Sequence, residues 1–182
     1  MTIDIIIATI WIVFWLYWLA ASVRTKTTQG GSRSFVGIRV VLVLAVLALF
    51  RAGVFKGHAG TIDNPWLRGL GLAVFLVGIA LAVWARVSIG RNWGTPMSEK
   101  VHPELVTSGP YRYVRHPIYS GIILGMVGTA VAVGPYWLVA VALIGAYFIY
   151  SATVEERTME RLFPEVYPAY KRSTKMLIPF IF

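Results

Sequence analysis

The sequence predicts an all-α integral membrane protein of about five transmembrane helices, with a tight hairpin of the fourth and fifth and a cytosolic C-terminal segment. Three observations carry this. Of 182 residues, 57% are hydrophobic and 14% charged, and the mean hydropathy of +0.68 is too high for an ordinary soluble domain. Five apolar stretches stand out, at about 3–23, 35–50, 69–87, 117–133 and 136–153. The basic residues are distributed unevenly over the segments between them, as the charge bias of membrane topology requires.

Stretch 3–23 is too long for the apolar region of a secretion signal and carries Asp4 where a basic leader is expected, so it is read as a first membrane helix. Trp11, Trp15 and Trp18 recur at helical spacing and predict one aromatic face, turned toward lipid or interface. Stretches 35–50 and 69–87 are the second and third spans. The fourth and fifth are separated by Gly134-Pro135, a turn that suits antiparallel helices. At about 17 residues each they either cross a thinned bilayer or lie partly buried in protein. Gly121 and Gly125 form a small-xxx-small step, which allows a close approach by a neighbouring helix or a ligand.

With the N-terminus outside, Arg24, Lys26, Arg33, Arg39, Arg86, Arg91, Lys100, Arg112, Arg115, Arg157, Arg161, Lys171, Arg172 and Lys175 fall on the cytosolic side, against Arg51, Lys56 and Arg68 outside. This orientation brings segments 88–116 and 154–182 to one cytosolic face, where they can share a site. The same distribution, flanking apolar spans, argues for lipid headgroups and against a nucleic-acid surface.

Several chemistries are excluded. The chain has no cysteine and three histidines, His58, His102 and His116, without zinc-site spacing, so no metal is expected. Neither a phosphate-binding P-loop nor a dinucleotide fingerprint between strand and helix is present. The two aspartates, Asp4 and Asp63, fall on the outer side, away from any Ser/His pair.

The polar residues concentrate in two places. Between His102 and Gly121, Gly109-Pro110 forces a turn and Pro117 opens a helix. The amides of that first turn, with Arg115, His116, Tyr111 and Tyr119, would suit a small anionic, aromatic ligand. A topogenic loop that meets phospholipid headgroups is the alternative. Glu155-Glu156-Arg157 closes the last apolar stretch. Adjacent helical residues point about 100° apart, so one carboxylate faces a pocket and the other is solvated or paired, unless both simply mark a charged helix end. One carboxylate beside cationic donors and an aromatic wall meets the demands of a zwitterionic nucleoside such as S-adenosylmethionine.

The run LVTSGPYRYVRHPIYSG at 105–121, followed by EERTMERLFPEVYPAYKRSTKMLIPFI at 155–181, resembles the isoprenylcysteine carboxyl methyltransferase family and its phospholipid methyltransferase relatives. The resemblance covers about residues 88–182. It implies S-adenosylmethionine as cofactor, with contacts from His102, Leu105, Val106, Tyr111, His116, Pro117, Ile118, Tyr119 and Glu155. It implies one membrane methyltransferase domain over 1–182, with N-terminal helices in 1–68 and the catalytic core in 69–182. The acceptor would be a membrane-dissolved or lipid-linked amphiphile, methylated on a carboxylate, with an amine headgroup or a hydrophobic thiol as alternatives. Arg115 and Glu155 are the candidates for direct catalytic roles. Ser151 departs from the family pattern: eukaryotic prenylcysteine enzymes carry a substrate-binding arginine there. Outside this class stand a sterol-type membrane reductase and a non-catalytic scaffold. The tail 167–182, which mixes basic and apolar residues around Pro168 and Pro179, is expected to strap the membrane surface over the site.

Overall fold

A computed structural model describes residues 2–22, 62–93 and 104–182. The expected second span at 35–50 and the candidate His102 lie outside them. The described residues form α1 (Ile3–Ser22), α2 (Pro65–Ile89), α3 (Pro117–Val133), α4 (Trp137–Leu162) and the short α5 (Tyr167–Ser173), with 3-10 turns at Gly90–Asn92 and Gly109–Arg112. Among the described residues there is no strand, only an isolated bridge between Val114 and Lys175. Among the described residues, three helices are long and apolar enough to cross a membrane, and α3 is a shorter apolar helix. The chain is an integral membrane protein.

Local chemistry sets the helix ends. Asn64 caps α2 by accepting hydrogen bonds from the amides of Trp66 and Leu67 at 2.9 and 3.3 Å. Pro65 and Pro117 occupy first-turn positions, where a missing N–H costs nothing. Helix α4 does not stop with the apolar stretch at Thr153. It continues to Leu162, 26 residues in all, a rise of about 39 Å. By length and composition the helix can cross a membrane, and it carries Glu155 and Glu156 beyond the apolar part on a rigid rod.

Helices α2 and α3 pack backbone to backbone. A Cβ built on Gly78 would collide with the backbone of Gly121 and Gly125, one on Gly121 with Ala82, and one on Gly128 with Phe75. In a membrane, where lipid removes the hydrophobic drive between helices, such close approach supplies the dispersion contact. The Gly121/Gly125 step therefore serves helix packing. The tryptophans of α1 do not form one outward stripe. Trp15 is exposed, whereas Trp18 is buried and Trp11 donates from its indole N–H to Thr129 Oγ1 at 3.2 Å. The inward face of α1 is needed to cover the α2–α3 pair, and a large indole satisfies both packing and a buried hydroxyl.

Candidate active site

The site is built where the 104–116 loop, the end of α4 and the C-terminal segment meet. Gly109 turns the loop with a φ of 61°, a conformation that favours glycine. Added bulk there would also press on Ser88. The loop is held from the tail: the amide of Arg115 donates to the Lys175 carbonyl at 2.8 Å and that of His116 to Met176 at 3.1 Å. Ser120 Oγ donates to the Leu177 carbonyl at 2.6 Å, and the Tyr170 hydroxyl to the Tyr111 carbonyl at 2.6 Å. These two amides precede the helix that Pro117 opens, and they close a strap to the tail because an extended segment beside a helix start satisfies both sets of backbone groups.

The two carboxylates diverge as helical geometry requires, yet both reach His116. Glu155 Oε2 lies 3.5 Å from His116 Nδ1 and Glu156 Oε1 lies 3.5 Å from Nε2. Glu155 also accepts from the Tyr119 hydroxyl at 2.6 Å and its side chain is 25% exposed. Glu156 is 4% exposed and binds Arg115 Nε at 2.6 Å and Lys171 Nζ at 3.0 Å. Arg115 Nη1 donates to the carbonyls of Lys171 and Thr174 at 3.2 and 2.6 Å. Its guanidinium faces the tail and its charge is met by Glu156. This geometry does not support a direct catalytic role for Arg115, since a buried fork with three acceptors is held in place.

Burial alone would lower the His116 pKa, but the carboxylates of Glu155 and Glu156 on either side outweigh it and raise the value above the ordinary 6.5. Tyr111 is raised by burial first and by Tyr170 and Glu155 next, with Arg86 opposing. Tyr170 is pushed up to about 12, chiefly by burial, which keeps it a hydrogen-bond donor.

Val106, Tyr111, Ile118 and Tyr119 share one cluster with Ala82 and Ala85 of α2 and Phe148 of α4. His116, Tyr119 and Phe148 stack in series, the rings parallel within 3° and 7° at 5.5 and 4.4 Å. Pro117 is fully buried at the start of α3, and Leu105 is half-buried in the loop beside Val106. Sequence reasoning missed Phe148 and Lys171, whose roles depend on tertiary contact alone. Arg86, a charge within an apolar stretch, carried a legible signal. Ser151 is fully buried, and its Oγ has no hydrogen-bond partner among the described residues.

The chain is 31% identical over 152 residues to a nickel-cobalt-cadmium resistance protein of Alcaligenes xylosoxydans, matching 81% of this chain and 66% of that protein. It is 27% identical over 146 residues to protein-S-isoprenylcysteine O-methyltransferase B of Arabidopsis thaliana, matching 78% and 73%. The chain thus spans about two thirds of the length of these relatives. The fold resembles that of a eukaryotic intramembrane isoprenylcysteine carboxyl methyltransferase, with a TM-score of 0.57 and 24% identity over 84% of this chain and 55% of that one. The family model for phospholipid methyltransferases matches residues 66–166, a segment that contains the three α2–α3 glycine contacts and every described residue of the site up to Glu156. The chain belongs to the phospholipid methyltransferase family, with isoprenylcysteine carboxyl methyltransferases among its relatives.

Proposed function

We propose that this protein transfers a methyl group from S-adenosylmethionine to a membrane-dissolved amphiphile, with carboxyl O-methylation as the favoured chemistry. The observation that carries the reading is the convergence of two separated segments on His116. There Glu155 is accessible, and Val106, Tyr111, Ile118 and Tyr119 gather in one cluster.

The residues fit the cofactor. Glu155 is the one carboxylate of the pair with solvent access, placed to accept from an ammonium or a ribose hydroxyl. His116 is held between the two carboxylates, which fixes its ring beside Tyr119 at the edge of the cluster. Leu105, Val106, Pro117 and Ile118 offer the apolar wall, and Tyr111 and Tyr119 its aromatic part. When bound, S-adenosylmethionine supplies a methyl already activated on a sulfonium. The chain's own work is then alignment and the exclusion of water. Glu156 and Arg115 position the loop and tail, while Glu155, Tyr119 and His116 hold the ligand side. A carboxylate or thiolate acceptor needs no general base. The acceptor enters laterally from lipid, the donor from the polar face.

The proposed topology has the N-terminus outside, five spans including a hairpin of α3 and α4, and one domain over 1–182 with its core in 69–182. The functional test is titration of detergent-purified protein with S-adenosylhomocysteine and with NADPH. Binding of the first alone is the expected result. Binding of NADPH instead would favour the reductase reading, and binding of neither would leave a scaffold.

A further inference from the structure

Arg86 is the second buried guanidinium of the described residues, and it differs from Arg115 in having no carboxylate partner among them. It is 5% exposed. Nη1 donates to the Gly90 carbonyl and Nη2 to the Ala21 carbonyl, each at 2.8 Å, and the guanidinium lies 4.7 Å from the centroid of the Trp93 ring. Its Nε is buried and has no hydrogen-bond partner among the described residues. The two carbonyls belong to the C-terminal ends of α1 and α2, whose dipoles favour a cation. They hold the charge in place without cancelling it. A guanidinium kept net positive inside a membrane protein marks a ligand position by default, since an uncompensated buried charge is costly.

Its surroundings give the ligand. Trp93, which lies against the guanidinium, packs on the same cluster that holds Val106, Tyr111, Ile118 and Tyr119, and the neighbouring Ala85 of α2 is a member of it. Arg86 therefore borders the proposed site where α1 and α2 end. The other buried cation cannot receive an anion there, because Glu156 already neutralises it. Ser151 supplies no charge.

We propose, resting on the methyltransferase reading, that Arg86 is the carboxylate-binding residue of this site, its Nε–H donating to a carboxylate oxygen of a bound ligand. Trp93, half-buried and stacked on the guanidinium, is the side chain that gives way to admit it. Two ligands of the reaction can bring that carboxylate: the methionine part of the donor, or the head group of the acceptor.

The test compares matched pairs on the full chain in detergent. One pair is S-adenosylhomocysteine and its decarboxylated analogue; the other is S-farnesyl mercaptoacetate and its primary amide. Kd is measured for wild type, R86Q and R86K, alongside a thermal melt. In at least one pair the wild type should prefer the carboxylate, and R86Q should reduce that preference about 10- to 100-fold, as for a lost charge-assisted hydrogen bond, while binding the neutral member as before. The pair affected names the source. Equal losses for both members of each pair, or a preference that survives R86Q, would overturn the proposal and leave Arg86 a brace between helix ends. If R86Q does not fold, R86K carries the test, because it keeps the charge and removes the Nε–H; an undiminished preference would overturn the assignment. A wild type that binds no S-adenosylhomocysteine refutes the methyltransferase reading itself, an outcome distinct from all of these.

Discussion

Glu155 and Glu156 are neighbours in sequence with different work to do. The partly exposed Glu155 carboxylate is the ligand-facing one of the proposed site, so Glu155→Gln should weaken S-adenosylhomocysteine binding by about 1.5–3 kcal/mol, read by calorimetry, with a smaller fall in melting temperature than Glu156→Gln. Glu156 is buried against Arg115 and Lys171. Glu156→Gln strands a buried guanidinium, and its main effect should be a loss of stability of about 3–5 kcal/mol, read as a fall in melting temperature. Equal effects on affinity with no effect on melting would contradict this division. His116 adds a pH dependence. Its pKa is raised in the fold, so the charged imidazole contributes stability that is fully present below the ordinary histidine value of 6.5 and is lost as pH rises through the raised value. The melting temperature of the ligand-free protein should fall across that window, and His116→Gln should flatten the fall. A stability that instead rises with pH there would show that the imidazole is held neutral.

At the scale of elements, the tail and the 111–120 loop form one unit. The carbonyls of Lys175, Met176 and Leu177 occupy the amides of Arg115 and His116 and the hydroxyl of Ser120, and Leu177 is buried in the core cluster. Truncation after Thr174 removes these acceptors and uncovers the site. The expected outcome, measured in liposomes, is loss of both cofactor retention and turnover of a lipophilic acceptor. Unchanged values for both would reduce the tail to an anchor. The α2–α3 contact is the complementary case. It involves no site residue but fixes where Pro117 starts, and through it where His116 points.

For the whole molecule, the question is which face meets the cytosol. The chain has no cysteine, so single cysteines introduced at Gly30, Gly60 and Ser173 report topology without background. Labels at positions 30 and 173 should react only from the cytosolic side, and at position 60 only from outside. The reverse pattern would place the site on the outer face and remove its supply of a polar methyl donor.

By itself, the sequence determined the membrane class, the apolar stretches that became α1, α2 and α3, and the two polar segments of the site, because hydropathy, prolines and glycines act over a few residues. It also determined that Glu155 and Glu156 would diverge, since that follows from 100° per residue. Only the tertiary structure decided that both reach His116 from opposite sides, that Arg115 turns to the tail, and that Trp11 and Trp18 face inward while Trp15 does not. Nor could periodicity reveal that the tail consumes two amides of the loop or that Arg86 keeps a donor with no partner among the described residues. The physical reason is common to these: pairing of a charge or a backbone group depends on which distant segment arrives beside it, and the local pattern of a sequence does not encode that arrival.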